Sequence, residues 1–414
     1  MTETLNLPQI VSAARADEFA AAANSGASTL YVPSKVSFKG TVAASLATQA
    51  VITWGTKPAA AVLQTNLDVD APRVSEALER NAPLLTAIHL ARTVIDAAGN
   101  DITDRARALA EAATASSSDL PQLGTGVSVG TNRTVMAVDH IPDFEKPRGL
   151  YPHPALDEAA RPFYAGYDRM DVSKLRGRAP LGHRALGVGP LNPEGFGDKY
   201  SATGRALGML LFELVQNTDL HARRTARGHT LPKSVRLVQL RGYSQTRTTM
   251  SQTSDRNDLS NYYQRVPSVG GDDQLRFLTV SVLDSGPGLA RTLLARENEF
   301  SPTPDKELEY FLRALRMTSR GRTREPMRGM GLRRVQRFLS ALGGYARIRS
   351  GRFEVYRDFT RFPYLEGADD ERFWYGGLQR PSESPMLAGT SFTLVIPLPP
   401  LASTDTLWEV AGDD

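Results

Sequence analysis

Hydrophobic and polar positions follow different patterns in the two parts of the chain. In the first part, short helix-like and strand-like stretches alternate. Apolar residues at helical spacing predict three helices: Ala13–Ala23, Ser75–Ala98 and Thr103–Ala113. Short apolar runs predict three strands: Thr29–Val32, Ala50–Trp54 and Ala60–Gln64. We therefore interpret residues 1–115 as a small N-terminal α/β domain, in which Pro83 can divide the second helix.

The second part has longer elements with a more regular pattern. Leucines from Leu207 to Leu214 recur at helical spacing and predict a helix over Ala202–Arg224. Apolar stretches of strand length predict four strands: Ser234–Leu240, Leu275–Leu283, Tyr345–Ser350 and Ser391–Pro397. Another amphipathic helix is predicted over Leu332–Leu342, and the polar stretch Tyr243–Asp273 is interpreted as a surface insertion.

The stretch between these parts, residues 116–200, is rich in Ser, Gly and Pro. Such a composition is typical of loops, so we interpret it as a connecting region with one strand over Thr134–Val138. Residues 201–400 then form a second domain, and residues 401–414 form a tail.

Composition narrows the class of protein. A chain of 414 residues with 41% hydrophobic and 23% charged residues is typical of a soluble globular protein. We expect neither a membrane span nor a secretory signal, because no apolar run is long enough and the N-terminus lacks a basic start. The lack of cysteine excludes disulfides, thiol catalysis and cysteine-based metal sites. The net charge of +4 is too small to indicate nucleic-acid binding by itself, and we expect a bacterial cytoplasm.

Four short segments of the second part carry candidate chemistry. In chain order they are ELVQN (213–217), DSGPG (284–288), RGMGL (328–332) and GTSF (389–392). Glu213 and Asn217 lie four residues apart, so both project from one side of the predicted helix. A carboxylate can deprotonate a water, and an amide oxygen beside it can ligate Mg²⁺. Taken alone, such a pair is also common as a solvated pair at a helix edge.

The glycine-containing segments suit a bound nucleotide. Asp284 ends a predicted strand, and Gly286 and Gly288 allow the backbone to approach a ligand closely. A carboxylate there can accept a hydrogen bond from an adenine amino group, although an ordinary strand-ending turn has the same sequence pattern. Gly329 and Gly331 precede a predicted helix, whose N-terminus attracts anions.

The order and spacing of the four segments resemble the N box, G1 box, G2 box and final GT segment of the GHKL superfamily. This superfamily contains the gyrase, heat-shock chaperone, histidine kinase and MutL ATPases, and the resemblance covers residues 200–400. It implies an α+β class with a Bergerat-type two-layer sandwich, in which a mixed sheet has helices on one face. It also implies ATP and Mg²⁺ as cofactors, and a flexible lid over Leu289–Arg328. The order of elements in residues 1–115 resembles a STAS-like module in outline, without a motif.

The resemblance also assigns roles to individual residues. Glu213 is the implied general base, Asn217 the Mg²⁺ ligand and Asp284 the adenine reader, while Thr390 supports Asp284. The full set implied to bind the nucleotide is Asn217, Asp284, Gly286, Gly288, Arg328, Gly329, Met330, Gly331, Leu332 and Thr390. Many members of the superfamily carry an acidic residue where this chain has Leu220, which leaves one adenine contact open.

The predicted lid is basic, with arginines clustered between Arg313 and Arg328. Such a cluster neutralises ATP phosphates, binds nucleic acid or forms a solvated face, and the sequence leaves these three interpretations open.

The absence of other features selects among functions within the superfamily. None of the six histidines is followed by Asp or Glu, so we do not expect a histidine autokinase. Few residues follow Pro397, so we expect no downstream domain that supplies a catalytic lysine. The leading interpretation is a Mg-ATP-binding regulatory protein with slow or partner-triggered hydrolysis and an unidentified protein partner. The alternatives are a protein-serine kinase or anti-sigma-like switch, and a non-catalytic nucleotide-binding module. A homodimer and nucleic-acid binding stay open, and no membrane contact is expected.

Overall fold

The computed structural model describes most of the chain, with gaps. The described residues are 4–57, 62–79, 81–118, 132–139, 210, 214, 217, 218, 222, 225–229, 231, 234–254, 256–268, 273–316, 331–365, 373–376 and 385–397. Helices and strands alternate in the N-terminal part. In the C-terminal part the strands are longer, and helices connect them. The architecture is therefore mixed α+β.

The elements are numbered here in chain order. The strands are β1 (Thr4–Asn6), β2 (Ile10–Val11), β3 (Thr29–Tyr31), β4 (Ser37–Phe38), β5 (Val62–Gln64), β6 (Thr93–Ile95), β7 (Asn132–Asp139), β8 (Ser234–Thr246), β9 (Gln274–Asp284), β10 (Tyr345–Ser350), β11 (Phe353–Asp358), β12 (Tyr375–Gly376) and β13 (Thr390–Pro397). The helices are α1 (Ala13–Ala23), α2 (Ala43–Gly55), α3 (Val74–Glu79), α4 (Ala82–Leu90), α5 (Thr103–Ser118), α6 (Arg247–Thr253), α7 (Asn257–Arg265), α8 (Leu289–Arg296), α9 (Pro304–Arg316) and α10 (Gly331–Leu342).

The N-terminal part contains a small parallel sheet in the order β1-β3-β5-β6. The predicted helices at α1 and α5 are confirmed, as are the strands at β3 and β5. The strand predicted over Ala50–Trp54 is wrong, because these residues continue the buried helix α2. A fully buried apolar run has no amphipathic period that separates a strand from a helix.

The predicted helix Ser75–Ala98 is wrong beyond residue 90. Pro83 does divide it: the side chain of Asn81 caps α4 and accepts a hydrogen bond from the amide of Leu84 at 3.2 Å. Residues 93–95 form β6, which pairs with β5 and extends the small sheet. Tertiary pairing therefore overrides the helical spacing in this short β-branched stretch.

A seven-stranded sheet organises the C-terminal part in the order β12-β11-β10-β13-β9-β8-β7. Every pairing in it is antiparallel, so the mixed sheet that the resemblance implied is corrected. For β10 and β11 the reason is local, since a two-residue hairpin joins them, which only antiparallel strands allow. β7 confirms the strand predicted at Thr134–Val138 and pairs with β8 at the edge.

Both faces of the large sheet are covered. Side chains at alternate positions pack either against α8, α9 and α10 or against a core shared with α2, α6 and α7. We call these the α10 face and the α2 face. Helices on one face only, as the resemblance implied, are therefore corrected. The α2 face carries apolar side chains such as Phe277 and Tyr345, which would otherwise be exposed to water.

The segment that was predicted to be a surface insertion contributes to the core on the α2 face. The polar stretch Tyr243–Asp273 contains α6 and α7, and Tyr262 and Tyr263 are fully buried on the α2 face. The hydroxyl of Tyr263 is hydrogen-bonded to Thr41 at 2.8 Å, which makes burial of a polar tip acceptable.

The predicted lid is corrected over its first 28 residues. α8 and α9 pack on the α10 face, where Leu294 and Phe311 are fully buried. Apart from the buried Glu307, the charged residues that the structure describes in these helices are exposed or half-buried, so the composition alone concealed the apolar faces. Residues 317–330, with most of the arginine cluster, lie outside the described residues. None of the described helices is long and apolar enough to cross a membrane.

Candidate functional site

Four polar residues form a row across four adjacent strands at one end of the large sheet. The register pairs Arg236 of β8 with Asp284 of β9, and Ser350 of β10 with Thr390 of β13. β13 lies between β9 and β10, so Thr390 stands next to Asp284. Alternation along each strand places all four side chains on the α10 face. We call this set the polar row.

Asp284 is the centre of the polar row and is only 8% exposed. Its Oδ1 accepts hydrogen bonds from the amides of Gly286 at 2.9 Å and Thr390 at 3.2 Å. Burial raises the pKa of the Asp284 carboxyl to about 7, against the opposing effects of these two amides and of the Arg236 charge. The carboxyl therefore changes its charge near neutral pH, where an ordinary aspartate is ionised.

Two glycines bring the DSGPG and GTSF segments into direct contact. Gly389 has a φ of +72°, and a Cβ there would lie 1.7 Å from the carbonyl oxygen of Asp284. Gly288 has a φ of +86°, and its Cβ would lie 2.8 Å from Oγ of Ser350. The amide of Gly389 also donates to the carbonyl of Gly286 at 2.8 Å. Replacement of Gly389 would therefore move the backbone around Asp284, and replacement of Gly288 would displace the hydroxyl of Ser350.

Sequence reasoning missed Ser350 and Arg236. Oγ of Ser350 accepts a hydrogen bond from the amide of Leu289 at 2.8 Å and contacts Oγ1 of Thr390 at 3.1 Å. It therefore joins the start of α8 to the polar row. The available signals were weak: Ser350 directly precedes a glycine turn, and Arg236 is a lone charge within an apolar strand.

The structure locates some of the other predicted site residues. Asn217 is helical and half-buried, and Leu214, three residues earlier, is buried on the α10 face. This helical stretch therefore lies on the same face of the sheet as Asp284. Gly331 is the first residue of α10, and Leu332 packs partly against the core. Glu213, Arg328, Gly329 and Met330 lie outside the described residues.

A shallow cleft of about 10 Å³ opens beside the polar row. Gly288 and Ser350 form part of its wall, and Glu307 bridges Arg291 at 2.8 Å and Arg352 at 3.0 Å. Because one carboxylate faces two guanidinium groups, the cleft carries a net positive charge. A volume of this size holds about one water molecule, so a nucleotide would have to extend beyond the cleft.

A metal held by protein side chains alone has no ligand cluster among the described residues. No group of three or more His, Cys, Asp or Glu side chains able to hold a metal occurs among the described residues. Mg²⁺ bound with a nucleotide needs only one or two protein oxygens, because the phosphates supply others. Comparison with protein-family models, with curated proteins and with solved structures returned no match.

Proposed function

We propose that this chain is a Mg-ATP-binding regulatory protein of the GHKL type, with slow or partner-triggered hydrolysis. Residues 201–400 would form its ATP-binding domain, built on the antiparallel sheet described above, and ATP would bind on the α10 face of that sheet. The observation that carries the proposal is Asp284, a carboxyl removed from solvent at the end of a central strand. Such a group costs stability when it is ionised, so it is expected where a ligand uses it.

Asp284 has the chemistry to select adenine. Its carboxylate would accept a hydrogen bond from the exocyclic amine, whereas guanine presents a carbonyl oxygen at that position. The amides of Gly286 and Thr390 both hold Oδ1. They orient the carboxyl group, and we assign the amine to Oδ2. Because an amine donor stabilises the ionised form, ATP binding would lower the pKa of Asp284 and release a proton near neutral pH.

The roles in phosphate binding and hydrolysis rest on the resemblance. Asn217 would hold Mg²⁺, and backbone amides near Gly331 would hold phosphates at the start of α10. Mg²⁺ would neutralise the charge that develops on the phosphates. Glu213 would orient and deprotonate the attacking water. The half-buried position of Asn217 on the α10 face supports the first of these assignments.

Calorimetry with ATP and GTP tests the adenine assignment. The parent protein should bind ATP more tightly than GTP, and Asp284→Asn should weaken ATP binding by roughly ten- to a hundredfold, the value of one charge-assisted hydrogen bond. Equal ATP affinity in the parent and in Asp284→Asn would refute the assignment.

Radiolabelled ATP then separates the possible activities. Release of free phosphate supports the proposed ATPase. Transfer of label to a protein would indicate a serine kinase or anti-sigma-like switch, and binding without turnover would indicate a non-catalytic nucleotide-binding module.

A further inference from the structure

The four residues Leu387–Thr390 lead into β13 and support the polar row; we call them the β13 entry. Their backbone amides donate to three different parts of the fold. Leu387 donates to Gly351 at 3.1 Å, Ala388 to Oγ1 of Thr53 at 3.0 Å, Gly389 to Gly286 at 2.8 Å, and Thr390 to Oδ1 of Asp284 at 3.2 Å. The second of these contacts comes from α2, so a helix of the N-terminal part holds a segment of the candidate site.

The helix α2 presents a polar stripe to the large sheet at Ser45, Gln49 and Thr53. These residues recur every four positions, so they share one side of the helix, and all three are buried. Nε2 of Gln49 donates to the carbonyls of Arg349 at 3.3 Å and Ala388 at 3.4 Å. Oγ of Ser45 accepts from Oγ1 of Thr393 at 2.8 Å.

The stripe therefore holds the β13 entry and the end of β10 by hydrogen bonds rather than by apolar packing alone. An unpaired buried hydrogen-bond donor costs free energy, so these contacts fix a definite position of α2 on the sheet. Thr53 and Gln49 together hold both the N–H and the C=O of Ala388.

The position of the β13 entry affects Asp284 directly, because the two are in contact. Gly389 has no room to move toward Asp284, because even a Cβ would collide with the Asp284 carbonyl. Loss of the Thr53 hydroxyl would leave the amide of Ala388 without this acceptor. That amide would move to regain a partner, and it would carry the amide of Thr390 with it, two residues along the chain.

We propose that Thr53 and Gln49 are positioning residues for Asp284, so that docking of the N-terminal part on the α2 face sets the adenine affinity of the α10 face. The role in adenine affinity rests on the proposed function, whereas the effect on Asp284 itself does not. Asp17 of α1 adds a charged contact at this docking surface, since it pairs with Arg349 at 2.8 Å, one residue before Ser350.

Three full-length variants test the proposal. Thr53→Val removes the acceptor of the Ala388 amide, and Thr53→Ser restores a hydroxyl. Thr48→Val is the matched control, because Thr48 is equally buried on α2 but its hydroxyl bonds to the carbonyl of Ala44 within the helix. The titration of Asp284 is followed by carboxyl ¹³C NMR without nucleotide, with Asp284→Asn used for assignment. ATP affinity is measured separately by calorimetry.

The charge that faces Asp284 is Arg236 on β8, while β13 and β10 present the hydroxyls of Thr390 and Ser350. None of the variants changes a charge, so a shift in the titration of Asp284 must come through geometry. Weakening of the Thr390 amide contact removes a donor from the ionised form. Asp284 should therefore titrate at a higher pH in Thr53→Val than in the parent.

We expect Thr53→Val to bind ATP about three- to tenfold more weakly, since one neutral hydrogen bond is lost from the support of the site. Thr53→Ser and Thr48→Val should match the parent in both measurements. An unchanged or lower titration midpoint in Thr53→Val would overturn the positioning role, as would an equal change in Thr48→Val. A parent protein that binds no ATP would overturn the proposed function instead, and the NMR midpoint would then decide the positioning role by itself.

Discussion

Replacement of Asp284 by Asn should stabilise the fold at alkaline pH. The carboxyl has a pKa of about 7 in the folded protein because of burial, against an ordinary value of 3.8. A group whose pKa is raised by folding binds its proton more tightly in the folded state, so its contribution is fully present below pH 4 and is lost as the pH rises through 7. Asparagine cannot ionise, and its Oδ1 can still accept from the amides of Gly286 and Thr390.

The magnitude follows from the difference between the two pKa values. At about 1.4 kcal/mol per unit, ionised Asp284 at pH 8 costs at most about 4 kcal/mol relative to the protonated form. Arg236 and the two amides already reduce this cost, because their effects are included in the folded pKa. The free energy of unfolding of Asp284→Asn should therefore exceed that of the parent at pH 8, and the difference should shrink or reverse at pH 5.

The assay is urea denaturation at several pH values between 5 and 8, followed by tryptophan fluorescence. Asp96→Asn is the control, because a hydrogen bond from Asn100 lowers the pKa of Asp96 and its own pH dependence lies below this range. Parallel curves for the parent and Asp284→Asn between pH 5 and 8 would refute the reasoning.

Four more predictions concern the same site. Glu213→Ala should bind Mg-ATP normally but release phosphate at least about a hundredfold more slowly in a phosphate-release assay, and unchanged release would contradict its role as general base. Asn217→Ala should weaken calorimetric binding of ATP with Mg²⁺ present but not after chelation, and equal weakening in both would argue against a metal ligand. The ATP affinity of the parent should fall about tenfold per pH unit below 7, because the amine needs the ionised carboxylate of Asp284, whereas Asp284→Asn should lack this component. Gly389→Ala should lower the free energy of unfolding by about 3 kcal/mol or more, because its Cβ would overlap the Asp284 carbonyl. Gly99→Ala, whose Cβ would have nothing within 4 Å, should lower it by about 1 kcal/mol. Similar losses in the two variants would contradict the close approach of Gly389 to Asp284.

The sequence correctly predicted those helices and strands whose bounds depend on residues that are neighbours in the chain. The bounds of α1 and β10 agree with the sequence prediction, because α1 has apolar residues at helical spacing and β10 lies between Gly344 and Gly351. The same reasoning failed for the middle of α2, which is buried on all sides. It also failed for the tyrosine-rich α7, because a polar composition does not reveal that Tyr262 and Tyr263 are buried.

The candidate site was predicted only in part for the same reason. Asp284, Gly288 and Thr390 belong to recognisable segments, and the structure brings them together. Ser350 carries no segment of its own and joins the polar row only because β10 pairs with β13. Thr53 lies more than 330 residues before Ala388, to which it is hydrogen-bonded, and no local pattern reports such a contact.

The sequence by itself determined the alternation of each strand and the positions where glycine allows the backbone to approach a carboxylate. These properties depend on side chains that are neighbours in the chain. Only the tertiary structure decided that β13 inserts between β9 and β10, and that α2 covers the other face of the sheet. It thereby also decided how deeply Asp284 is buried and at what pH it ionises. Burial and charge depend on every group that folding brings near, whatever its distance along the chain.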